Sequence, residues 1–229
     1  MYNFYEQNRI CPDCEQELQR EADLVAEEAR QAHLLATFDK RLQESNLPPN
    51  YTHDRATGNL FIEPPKRLPA EYIWRNRQHN LLISGATGSG KSTSACFVAV
   101  KMMQTGRVVK YCTAFELLNN WREARSANDR NAASALLREI FNCHILIIDE
   151  LANREKMTES ARSLLFEIVE SVHSGRRHTK VWFLGNFYTG SIEDIFPDGE
   201  PIRRRLSESF LCRRITDSGE ITELEVYKK

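Results

Sequence analysis

Residues 85–92 read Gly-Ala-Thr-Gly-Ser-Gly-Lys-Ser, a glycine-rich run closed by a lysine and a hydroxyl. Glycines let a backbone curl until several N–H groups face one ligand, and a helix N-terminus behind them adds positive charge. That chemistry suits the phosphates of a nucleotide, and the run matches G-x-x-x-x-G-K-[ST] in full. It also has the setting the motif requires, an apolar strand at 81–84 before it and an amphipathic helix at 91–104 after it. The expected ATP contacts are Gly85, Ala86, Thr87, Gly88, Ser89, Gly90, Lys91, Ser92 and Thr93. Lys91 should reach the β- and γ-phosphates, and Ser92 should coordinate Mg²⁺.

Some sixty residues on, Ile145-Leu146-Ile147-Ile148 ends in Asp149-Glu150. An all-apolar run ending in an acid is a buried strand that presents a carboxylate at its C-terminal end, where α/β folds bind ligands. Asp149 is expected to hold Mg²⁺ through water, and Glu150 to act as base or water-positioner for attack on the γ-phosphate. Val181-Trp-Phe-Leu-Gly185 is a second apolar strand, and it ends in Asn186. In a parallel sheet that end should sit beside Asp149, where the amide can orient the water; the alternative is a turn asparagine favoured by Gly185. A small-molecule kinase would share the phosphate loop, but this acid pair and amide suit water attack better than an organic acceptor.

Arg203-Arg204-Arg205 cannot all face one way on a short helix. One could reach a neighbouring subunit's ATP, and a solvated basic patch is the competing reading. Trp121, Arg122 and Arg125 on a helix at 115–125 are candidates for single-stranded DNA. Against that stands an ordinary amphipathic helix with Trp121 packed inward.

These residues need a frame. Strands are expected at 81–84, 107–114, 144–149, 180–185 and 209–215, with helices at 91–104, 115–125, 129–141 and 158–172 between them. Five strands alternating with helices imply a three-layer α/β domain around a five-stranded parallel sheet. Ahead of it, residues 13–45 read as one long helix, with Asp13 as N-cap and Gln16 completing a capping box. Its stripe of Leu18, Ala22, Val25, Ala29, Ala32 and Ala36 is too thin to build a core and must pack on the main domain, on a copy of itself or on a partner. Pro48-Pro49 ends that helix, and the stretch through Pro64, Pro65 and Pro69 reads as extended linker. The expected division is an N-terminal helical partner-binding region at 1–47 and an ATPase domain at 48–229.

Composition sets outer bounds. The 229 residues are 41% hydrophobic and 28% charged with net charge −1, which excludes a polycation made for nucleic acid. Residues 1–50 carry ten acids against five bases, whereas 176–214 carry eight bases against five acids. No apolar run approaches the ~20 residues of a transmembrane helix, and the start is unlike a signal peptide, so a cytoplasmic protein with no membrane partner is expected. Cys11 and Cys14 make half a zinc site at most, and no metal is counted there.

At this point the chain resembles the bacterial replicative helicase loaders of the DnaC and DnaI kind and the related IstB-like transposition ATPases. The resemblance runs from about residue 42 to 215. It rests on Arg41-Leu-Gln-Glu-Ser-Asn-Leu-Pro-Pro-Asn-Tyr51, the phosphate loop, Ile147-Ile-Asp-Glu-Leu151, Leu184-Gly-Asn186 and Gly199-Glu-Pro-Ile-Arg-Arg-Arg205-Leu206, in family order. It implies an AAA+ core with no C-terminal lid domain after residue 215. It further implies Asn186 as the sensor amide and Arg205 as the arginine finger acting on a neighbour's ATP. Arg204 departs from the pattern, since an aspartate is common there. The function implied is loading of a replicative hexameric helicase onto DNA with Mg-ATP. The implied partners are the helicase, single-stranded DNA and further copies of the chain joined through ATP-bound interfaces. A transposition helper ATPase is the alternative.

Overall fold

Hydrophobic residues run unbroken along the central strands, so both faces of the sheet are apolar, which demands a helical layer on each side. A computed structural model, which describes residues 11–126, 131–151, 159–187, 200–216, 218–224 and 226, has that arrangement. The strands are β1 (Asn80–Gly85), β2 (Val109–Thr113), β3 (Ile145–Asp149), β4 (Lys180–Gly185), β5 (Phe210–Ile215) and β6 (Ile221–Glu223). They form one sheet in the order β2-β3-β4-β1-β5-β6. All pairings are parallel except that of β5 with β6.

The helices are α1 (Pro12–Ala36), α2 (Phe38–Glu44), α3 (Pro49–Thr52), α4 (Arg67–Arg75), α5 (Lys91–Gln104), α6 (Ala114–Ser126), α7 (Ala132–Ile140), α8 (Glu159–His173) and α9 (Glu200–Ser209). Leu81, Ile83, Ile147, Trp182 and Leu184 pack with Ala95, Val98, Ala99 and Met103 of α5 and Ile73 of α4. Their strand neighbours Leu82, Ile148 and Phe183 pack with Leu117 of α6, Leu164 and Ile168 of α8, and Leu206 of α9. Two cores, one on each face of the sheet, are the three layers expected. Burying each such side chain contributes roughly 1.5–3 kcal/mol, so the central strands form a stiff platform beneath their C-terminal ends.

Several expectations change. The sheet has a sixth strand, because Ile221–Glu223 folds back antiparallel on β5; three residues carry too little alternation to announce a strand. The long N-terminal helix is broken at Thr37, with no proline there. Thr37 Oγ1 donates to the His33 carbonyl at 2.7 Å, a back-bond that bends helices. Arg41 donates to the carbonyls of Leu34 and Met103 (2.8 and 3.2 Å), tying the break to the end of α5. The N-cap is Cys11, not Asp13: its Sγ accepts the Cys14 N–H at 3.3 Å, since Pro12 fits the first helical position.

The stretch read as extended linker holds α3 and α4, and Pro69 is accommodated because it falls in the first turn, where N–H groups have no helical acceptor. Phe38, Leu42 and Leu47 join the core around α5, whereas α1 meets the domain at its last turn, where half-buried Leu34 lies against Gly106. No residue of α1 is buried, and Leu18, Val25 and Leu35 are 53, 66 and 77% exposed. Residues 1–10, 127–130, Thr158 and Gly199, to which the sequence assigned places, lie outside the described residues.

Candidate functional site

Strand order brings the chemistry together. β1 lies between β4 and β5, and β4 lies between β1 and β3, so the C-terminal ends of β1, β4 and β3 form one edge. That edge carries Gly85, Asn186 and Asp149. A cavity of about 440 Å³ opens there, lined by Tyr51, Thr87, Gly88, Lys91, Ser92, Asp149, Glu150, Gly185 and Asn186.

The loop leaving β1 is tightly wound. A Cβ on Gly85 would lie 2.8 Å from the Ile215 carbonyl oxygen and 2.9 Å from Ser89 Oγ, so only glycine fits. Gly90 is the N-cap of α5 with φ 93°, the left-handed region that side chains resist. Lys91 is 5% exposed and lies under the loop, its Nζ donating to the carbonyls of Gly85 (2.7 Å) and Ala86 (2.8 Å). Burial pulls the ammonium below its ordinary range, and the Asp149 carboxylate works against that shift. A curled loop, a helix N-terminus and a desolvated lysine beside it are the donor set a triphosphate needs.

Asp149 is 3% exposed, and both its oxygens have partners. Oδ2 accepts the Tyr111 hydroxyl at 3.0 Å, and Oδ1 accepts the Glu150 N–H at 2.7 Å. Glu150 has φ 58°, unusual for a residue with a Cβ. That turn is imposed from both sides, by the bond to Asp149 and by Leu151 N–H donating to the Leu184 carbonyl at 3.0 Å. The strained turn holds the exposed Glu150 carboxylate at the cavity rather than continuing β3, and strain of this kind clusters at functional sites. Asn186 Nδ2 donates to Thr87 Oγ1 at 2.9 Å, linking the end of β4 to the phosphate loop.

Two tyrosines were missed by the sequence reading. Tyr51 lines the cavity, and its hydroxyl neighbours Ser92; burial first, then the carboxylates of Asp149 and Glu150, push its pKa up. Tyr111 is pushed up further, by burial and by Asp149, and stays a protonated donor to that carboxylate. The only sequence signal was an aromatic ahead of the core and another on an apolar strand, and neither differs from a packing residue. Tyr111→Phe is expected to lower stability by about 1–3 kcal/mol, because a buried carboxylate oxygen loses its donor. An unchanged urea midpoint would show that Oδ2 is held some other way.

The remaining candidates lie apart. Arg205 does not line the cavity; its Nε is 3.0 Å from Glu170 Oε2 of α8, and its guanidinium lies 5.2 Å from the Phe166 ring centre. Arg204 points elsewhere and pairs with Glu208 along α9 at 3.7 Å. Trp121 is 3% exposed in the core beneath α6, so it offers no face to a base. Cys11 and Cys14 are exposed; the Cys14 hydrogen bonds hold the Cys11 thiol below its usual range. Among the described residues no group of three or more His, Cys, Asp and Glu side chains is placed to hold a metal ion. None of the described helices is long and apolar enough to cross a membrane.

Comparison with known proteins bears on the same core. The family model for the IstB-like ATP binding protein matches residues 26–181. An insertion sequence ATP-binding protein of Sinorhizobium fredii is 26% identical over 174 residues, which is 74% of this chain and 55% of the relative. The insertion sequence IS1162 ATP-binding protein of Pseudomonas fluorescens is 28% identical over 126 residues, 55% of this chain and 52% of the relative. The chain thus spans about half the length of the curated relatives it matches. Among solved structures, the DnaC helicase loader aligns with TM-score 0.51 at 15% identity, over 65% of this chain and 86% of that one. AMPPCP-bound DnaA from Aquifex aeolicus aligns with TM-score 0.54 at 14% identity, over 75% and 51%. These structural likenesses speak for the AAA+ fold, and the family match runs through the phosphate loop and the acid pair alike; the chain is a P-loop ATPase that belongs to the IstB-like ATP binding proteins.

Proposed function

We propose that this ATPase loads a replicative helicase onto DNA, using its nucleotide state to control assembly. In the site, Lys91 and the loop amides at 86–93 bind the phosphates. Ser92 and Asp149 would hold Mg²⁺, which when bound neutralises charge on the β- and γ-oxygens. Tyr111 fixes the Asp149 carboxylate, Tyr51 flanks Ser92, and Glu150 accepts a proton from the attacking water. Asn186 reports on the loop through Thr87, and Arg205 of a neighbouring copy completes the site.

The observation that carries the loading step is α1. It is a helix of 25 residues with no buried side chain, and none of its residues belongs to either core of the sheet. An amphipathic helix of this kind can lay its apolar stripe in a groove of a partner, and the acidic excess of the N-terminal segment would steer it to a basic one.

Removing residues 1–36 leaves Phe38, Leu42 and Leu47 in place. The shortened protein is expected to bind ATP as before and to lose capture of the host's hexameric helicase in a pull-down. Retained capture would place the grip elsewhere.

A second reading, a helper ATPase for a transposase, draws support from the two curated relatives, both named as insertion sequence proteins. Copurification from the host separates the two, since one predicts a hexameric helicase in the eluate and the other a transposase.

A further inference from the structure

The opposite edge of the sheet also has a cavity. The N-terminal ends of β3 and β4 and the connection into β2 surround a space of about 490 Å³. β1 spans six residues between this edge and the phosphate loop, so the two openings are roughly 20 Å apart at ~3.3 Å per residue. Arg77, Arg107, Arg176, Arg177 and Lys180 line it together with His144, and the described lining contains no aspartate or glutamate.

A chain of net charge −1 does not place five fixed cations around one cavity through average composition. They come from the α4–β1, α5–β2 and α8–β4 connections and the start of β4, so only the folded sheet assembles them. Like charges brought together this way repel, and a bound anion relieves that repulsion.

The floor beneath them is fixed. Thr179 Oγ1 donates to the carbonyls of Phe141 and Cys143, both at 2.8 Å. Lys180 N–H donates to the His144 carbonyl at 2.9 Å, and Val108 N–H donates to His144 Nδ1 at 3.0 Å. That last bond leaves the ring proton on Nε2, which makes His144 a neutral donor. Arg177 lies over the Phe141 ring at 5.3 Å, and Arg77 over Trp74 at 4.2 Å while donating to the Trp74 carbonyl. The guanidiniums are thereby held on aromatic faces with N–H groups to spare. Among the described residues only Arg176 of these cations has a carboxylate within 4.0 Å, that of Glu170, which Arg205 holds more closely.

We infer that this edge binds the phosphodiester backbone of DNA. The cavity is open, and Arg107, Arg176 and Arg177 are exposed around its rim. A single small oxyanion would touch one or two of these cations, whereas a chain of phosphates at regular spacing engages several at once. The inference rests on the DNA-acting function proposed above only for the choice of DNA over another polyanion, and it is independent of the chemistry at Lys91.

The test uses the full chain and a fluorescent mixed-sequence 30-mer, as single strand and as duplex, titrated at several salt concentrations. Replacing Arg107, Arg176 and Arg177 together by alanine is expected to weaken binding of the preferred form at least tenfold. It should also flatten the slope of log K against log salt by about 2–3, one unit for each lost phosphate contact. The triple lysine variant should keep the wild-type slope, which separates lost charge from lost fold. Unchanged affinity and slope in the triple alanine variant would overturn the assignment. So would absence of DNA binding by the wild type with tight binding of inorganic tripolyphosphate at this edge. ATP hydrolysis measured without DNA on the same preparations tells a failed pocket from a failed ATPase.

Discussion

Lys91→Ala is expected to lose tight ATP binding, whereas Glu150→Gln keeps it and loses hydrolysis by roughly 10²–10⁴-fold, the usual contribution of a general base. The division follows from position. The Lys91 ammonium is buried under the loop and bonded to the carbonyls of Gly85 and Ala86, so it both shapes the cradle and supplies its charge. Alanine removes the charge and leaves two loop carbonyls without their donor. Glu150 has no such structural duty through its side chain: its backbone makes the turn, and its carboxylate stands exposed at the cavity. Glutamine keeps the shape and removes the proton acceptor. Titrating labelled ATP against both variants, with single-turnover hydrolysis alongside, measures the split. Equal affinities would sink the assignment of roles.

Arg205→Ala should bind ATP normally and lose about 10³-fold or more in hydrolysis, the usual cost of removing such a finger. Within its own subunit Arg205 is held by Glu170 at 3.0 Å and by the face of Phe166, and it is absent from the cavity lining. A catalytic role therefore has to be exercised on a neighbour, with Glu170 released or re-paired when copies assemble. Mixing Arg205→Ala with Lys91→Ala should restore part of the activity, because some interfaces then pair an intact phosphate loop with an intact finger. If the two variants are shown to co-assemble and no activity returns, the trans role is wrong. A comparable loss in Arg203→Ala alone would move the finger by two positions on α9.

What could be read from the sequence was whatever local chemistry specifies. The phosphate loop at 85–92 is legible because curling a backbone around phosphates needs glycines, a lysine and a helix start within a few residues. Asp149-Glu150 and Asn186 are legible because each closes an apolar run, and a polar side chain at the end of a buried strand marks where the chain leaves the apolar core. The unbroken apolar runs at 145–148 and 181–184 already required a helical layer on each face of the sheet.

What the tertiary structure decided depends on pairings between distant segments. Tyr51 and Tyr111 enter the site only because α3 packs on α5 and β2 pairs with β3, contacts with no signature in a single residue type. The break at Thr37 turns on one hydroxyl back-bond and the reach of Arg41 to Met103, which local helix propensity cannot register. Likewise, Arg205 reads the same as its two neighbours in the sequence, and its engagement with Glu170 follows from how α9 lies on α8. The basic edge is assembled from connections at residues 77, 107 and 176–180 that adjoin only after four parallel strands align. Local rules act over one helical turn or one strand pair, whereas these placements are settled by the summed packing of the whole sheet.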